Sequence, residues 1–86
     1  MPGFIPAAER ILRARKLIQQ AHDLPVPPGG GRNDFSYIAQ VKDLLRQARD
    51  LVKFIPKTPS ATDEMKEDVG RIFEEADQAD REILNG

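Results

Sequence analysis

Residues 21–35 read AHDLPVPPGGGRNDF, with three prolines and three glycines between two runs of helical periodicity. The reading of this stretch decides the fold, because it can be a phosphate-cradling loop, a linker between domains or the bend of a helical hairpin. A phosphate loop needs G-x-x-x-x-G-K-[ST], where lysine reaches the phosphates and the hydroxyl holds magnesium. Here the glycines run into Arg32-Asn33-Asp34 and no strand precedes them. A dinucleotide-binding loop fails for the same want of a strand. A domain linker is disfavoured because the helices on either side carry too little apolar surface to stand alone. The hairpin bend is left: a stiff Pro-Val-Pro-Pro exit followed by a loose Gly-Gly-Gly.

Apolar residues on both sides of the bend follow a heptad. Ala7, Ile11, Ala14, Ile18 and Ala21 are spaced 4, 3, 4, 3, and Leu17 and Leu24 widen that stripe. Ile38, Val41, Leu45, Ala48, Val52 and Ile55 are spaced 3, 4, 3, 4, 3, with Tyr37, Leu44 and Leu51 as a second file seven apart beside them. Met65, Val69, Ile72, Ala76, Ala79 and Ile83 continue the pattern further on, with Phe73 adjacent. Pro6 suits a first helical turn, and Asn33 or Asp34 can cap the second helix. Thr58-Pro59 reads as the cap and first residue of the third helix, and Asn85-Gly86 as its stop. No alternation of period two occurs, so strands are not expected.

The expected fold is therefore all-α: an antiparallel three-helix bundle with heptad-like, coiled-coil packing, one domain over residues 1–86. Its helices should span 6–23, 34–55 and 59–84, with a Pro/Gly-rich loop at 24–33 and a turn at 56–58. An extended piece of a longer antiparallel coiled coil is the competing arrangement. Alanine recurs in the stripes, so the helices can approach closely over a thin core.

The 86 residues include no cysteine, which removes disulfides and thiolate metal sites and fits an intracellular setting. No stretch approaches the ~20 apolar residues of a membrane span, and MPGFIPAAER lacks the order of a secretory signal. Neither a membrane nor a secretory role is expected. The net charge of −1 hides a division, since residues 1–57 hold ten Lys/Arg against five Asp/Glu and residues 58–86 hold three against nine. Such asymmetry means either a basic face for a polyanion or helices that neutralise one another.

Chemistry is hard to assemble from these residues. His22 is the only histidine, with no second imidazole or thiolate to complete a transition-metal site. Ser36 and Ser60 lack a base and an oxyanion donor set, and the acids of the third helix read as a solvated face. No enzyme activity, cofactor, metal or small-molecule substrate is expected. Lys42, Arg46, Arg49 and Lys53 recur at 4, 3, 4 and form a stripe beside the second helix's apolar file, to which the first helix adds Arg10, Arg13, Arg15 and Lys16. The stripe can pair with the third helix, meet an acidic protein partner, or contact nucleic acid. Internal pairing is favoured by its flanking position and nine available acids, and nucleic acid is disfavoured by a pI near 5.8 and few aromatics. Phe4, Ile5, Leu12, Phe35 and Phe54 fall outside the main stripes and either close the bundle ends or form a docking patch. Lys57-Thr58-Pro59 is a minimal proline-directed phosphorylation pattern, which makes Thr58 a candidate modification site.

The hairpin LIQQAHDLPVP…DFSYIAQVKDLLRQARDLVKFI resembles the repeated helical hairpins of the jumonji/ARID-type histone lysine demethylases. The residues that carry the resemblance are Ala21, Leu24, Pro25 and Val26 at the turn, then Leu44, Leu45, Ala48, Arg49 and Leu51, within residues 17–55. Leu51 stands where that family usually has tryptophan, and the glycines are extra. The resemblance implies a nuclear rather than cytoplasmic, chromatin-associated helical region, with the iron and 2-oxoglutarate site elsewhere. None of the family's catalytic His-x-Asp/Glu motif is present, so no catalytic residue is carried over. In architecture the chain is also similar to microtubule-interacting and trafficking domains, which bind amphipathic peptide helices between their own helices. The expected function is non-enzymatic protein interaction or scaffolding. Arg13, Lys42, Arg46, Arg49, Lys53, Leu12 and Phe54 are the candidate contacts for a partner helix or peptide, with nucleic-acid binding as the alternative.

Overall fold

A computed structural model describes residues 5–30 and 33–84. Phe4, Gly31, Arg32 and the Asn85-Gly86 stop lie outside the described residues. The described residues form three helices, α1 (Ala7–Asp23), α2 (Phe35–Val52) and α3 (Asp63–Leu84), with a short 3₁₀ turn at Ile55–Lys57. All three helices pack against one another, and no strand occurs among the described residues. The fold is an all-α three-helix bundle.

Local chemistry sets each boundary. Pro6 stays extended at φ −60° and ψ 152°, and its carbonyl accepts the Arg10 N–H at 3.0 Å to open α1. α1 stops at Asp23 because Leu24 precedes Pro25 and is forced extended, at ψ 133°. Gly29 and Gly30 then turn the chain with φ of 83° and 92°, a region that side chains with a Cβ rarely enter. Asp34 caps α2, its carboxylate accepting the Tyr37 N–H at 2.9 Å.

The start of α3 departs from the sequence expectation, and so does the end of α2. Pro56 has no N–H to give and its ring clashes with the preceding turn, so α2 closes at Val52 rather than continuing to residue 55. The 3₁₀ turn follows, with the Lys57 N–H donating to Phe54 O and the Thr58 N–H to Ile55 O. The Thr58 hydroxyl donates back to Phe54 O at 3.2 Å, so Thr58 closes this turn instead of capping α3. Thr62 is the cap: its Oγ1 accepts the Met65 N–H at 3.1 Å, and Asp63 and Glu64 face the positive end of the helix. The expected turn at 56–58 is thus a longer connection, 53–62.

The core contains Ile11, Ala14, Ile18 and Ala21 from α1, Tyr37, Val41, Leu45, Ala48 and Val52 from α2, and Val69, Ile72, Ala76 and Ala79 from α3. Ile55, although outside α2, is buried over the end of the bundle. Tyr37 occupies the core position expected for Ile38. Ile38 is only partly buried, and Tyr37 from the neighbouring file takes the core place at this end of the bundle. Among the described residues no polar or charged residue is buried.

Gly70 lies on the exposed side of α3, and a Cβ added there would meet nothing within 4 Å. Gly70→Ala should therefore raise stability by about 0.5–1 kcal/mol, shifting thermal unfolding upward by several degrees in circular dichroism. A lower melting temperature would mean that this side of α3 is packed rather than free.

Candidate functional site

The three seams of the bundle differ in chemistry. At the α2–α3 seam Lys42 Nζ lies 3.3 Å from Asp80 and the Arg49 guanidinium 3.4 Å from Asp77. At the α1–α3 seam Arg15 reaches Asp68 at 3.3 Å and Glu75 at 4.0 Å. His22, Glu75, Gln78 and Glu82 line the same seam. α3 is thus held on both flanks by ion pairs. Each exposed pair contributes only ~0.2–1 kcal/mol, so together they fix its orientation more than its stability.

The α1–α2 seam is built from leucine. Leu17 and Leu24 of the α1 side and Leu44 and Leu51 of α2 pack against the core but stay half-buried. They floor two adjoining open concavities of about 540 and 480 Å³. The first is lined by Arg13, Leu17, Gln20, Gln47, Asp50 and Leu51, and the second adds Asp23, Leu24, Pro25, Gln40, Asp43 and Leu44. Gln20 borders both, so they form one groove along the two helices.

The candidate contacts read from the sequence do not make a single patch. The basic stripe of α2 divides by turn: Lys42 and Arg49 point to acids of α3, whereas Arg46 pairs with Asp43 at 2.8 Å and Lys53 with Asp50 at 3.2 Å on their own helix. Arg13 pairs with Glu9 at 3.2 Å and is the one candidate that lines the groove. Leu12, 55% exposed, lies three residues before Arg15 and therefore on the side of α1 that turns toward α3. Phe54, 58% exposed, lies just beyond α2 with the Lys53 ammonium 5.2 Å from its ring centroid. Thr58 is exposed in the connection and lines one concavity together with Pro6, Ala7 and Ala8 at the start of α1.

The groove leucines were visible in the sequence as the broadening of the first two stripes. They read there as extra core, because nothing in the pattern says which side α3 will cover. Among the described residues no cluster of His, Cys, Asp and Glu could hold a metal ion, and no helix is long and apolar enough to cross a membrane. No protein-family model matches the chain, and neither the curated proteins nor the solved structures yield a match.

The division of the basic stripe is measurable. A double-mutant cycle of Arg49→Gln with Asp77→Asn should give a coupling of about 0.2–1 kcal/mol in urea unfolding at low salt. The same cycle with Arg46→Gln should give none. Equal coupling at both positions would contradict the assignment.

Proposed function

We propose that the chain is a non-enzymatic protein-interaction module that receives an amphipathic partner helix along the α1–α2 groove. The observation that carries this reading is the placement of Leu17, Leu24, Leu44 and Leu51. Four large apolar side chains are left only partly buried in one groove, while five alanines sit fully buried in the core. Helix-in-groove recognition uses such a floor, with apolar anchors on one face of the incoming helix. The groove spacing favours a helix over an extended segment. Leu17 to Leu24 and Leu44 to Leu51 are each seven residues apart, or ~10.5 Å along a helix axis.

The hairpin resemblance over residues 17–55 supports a setting in a nuclear, chromatin-modifying assembly, where this region acts as scaffold. The alternative, nucleic acid on the basic stripe, is weakened by the pairing of Lys42 and Arg49 with α3.

A designed helical peptide tests the reading, with leucines at i, i+3 and i+7 and neutral glutamine and serine elsewhere. Titrated into the ¹⁵N-labelled protein, it should shift amide resonances around Leu17, Leu24, Leu44 and Leu51, and Leu44→Gln should weaken it at least tenfold. Shifts confined to α3, or none at millimolar peptide, would overturn the proposal.

A further inference from the structure

The groove specifies more than an apolar helix. Its lining carries three carboxylates, Asp23, Asp43 and Asp50, against one guanidinium, Arg13. The remaining polar lining residues are the neutral amides Gln20, Gln40 and Gln47. Arg46 and Lys53, which pair with Asp43 and Asp50, are not among the lining residues; they reach those carboxylates from three residues further along α2. Both pairs are exposed, with side chains 46–70% accessible. Pairs of that kind contribute little and exchange readily with a better partner.

We infer that the partner helix is basic: two apolar anchors seven residues apart, flanked by lysine or arginine that meets Asp23, Asp43 and Asp50. This rests on the α1–α2 groove being the docking site. The two concavities repeat at the heptad interval on both lining helices, so one anchor fills the space between Leu17 and Leu51 and the next that between Leu24 and Leu44. Flanking cations then stand over the carboxylates of the rim, the complementarity that selects among partners and speeds encounter. A second copy of this chain is a poorer occupant. Groove against groove would bring six carboxylates together with only two arginines, twice the lining set of one chain, and like charges across an interface are unfavourable.

Three labelled peptides with the same leucine anchors and lysine, glutamine or glutamate flanks distinguish these possibilities by fluorescence anisotropy. The lysine peptide should bind about tenfold tighter than the glutamine peptide and more than that over the glutamate peptide at 50 mM salt, with the preference shrinking at 500 mM. The variant D43N/D50N, altered only at exposed positions, should keep its helical circular dichroism and lose most of the preference for lysine over glutamine flanks. If all three peptides bind in the groove with equal affinity, the basic partner is wrong while the docking site stands. If none binds, the docking site itself fails. Tighter binding of the glutamate peptide, with resonance shifts at Lys42, Arg46, Arg49 and Lys53, would overturn the inference in favour of an acidic partner on the α2 stripe. A dimer in sedimentation that the lysine peptide cannot displace would overturn it in favour of self-association.

Discussion

Ala14, Ala21, Ala48, Ala76 and Ala79 are completely buried, and each contributes only a methyl group to the core. Small residues at a helix contact let the backbones approach, and the contact they make is tight but poor in apolar area. Larger side chains at the same positions would push the axes apart. Leu45, Ile55 and Ile72 supply the bulk that the alanines do not, and they are the largest fully buried side chains. The consequence for the rest of the molecule is geometric. α3 settles over the narrow seam, and the leucines that broaden the stripes of α1 and α2 are left on the opposite side. The groove follows from where the alanines are.

Charge works in the same direction. The basic half of the chain lies in α1 and α2 and the acidic half in α3, so bringing α3 onto the pair neutralises both. Arg15, Lys42 and Arg49 meet Asp68, Asp80 and Asp77 across the seams. Such pairs are weak individually, yet they act against α3 sitting over the leucine groove, whose lining is already acidic. Packing and electrostatics therefore agree on one arrangement, and agreement between levels is what selects a single fold.

Much of this was legible in the sequence, because a 3–4 spacing of apolar residues and two proline-bearing breaks leave few alternatives for the elements. A cap at Asn33 or Asp34 and the stop before Pro25 were readable from residue type, and the hydrogen bond from the Tyr37 N–H to the Asp34 carboxylate decides between the two caps. The start of α3 was not readable, since two threonines, Thr58 and Thr62, compete for the cap. The winner depends on the 3₁₀ turn that Pro56 imposes on the preceding residues. The choice between Tyr37 and Ile38 at the start of α2 was not readable either, since both lie near its apolar face and only Tyr37 is buried. The groove was hidden for a deeper reason: a stripe widened by leucine has the same pattern whether a third helix covers all of it or part. Only the docked position of α3 separates core leucine from displayed leucine.

Leu44 and Leu45 are neighbours in the chain and stand on the two sides of that distinction, one partly buried at the groove and the other fully buried. Their separate replacement by alanine, followed by urea unfolding, tests the account most directly. It predicts a loss of about 2–5 kcal/mol for Leu45→Ala. For Leu44→Ala, which removes a side chain already partly in water, it predicts about 1 kcal/mol. Equal losses at the two positions would show that the leucine seam is core, and the account of a bundle with an open groove would be contradicted.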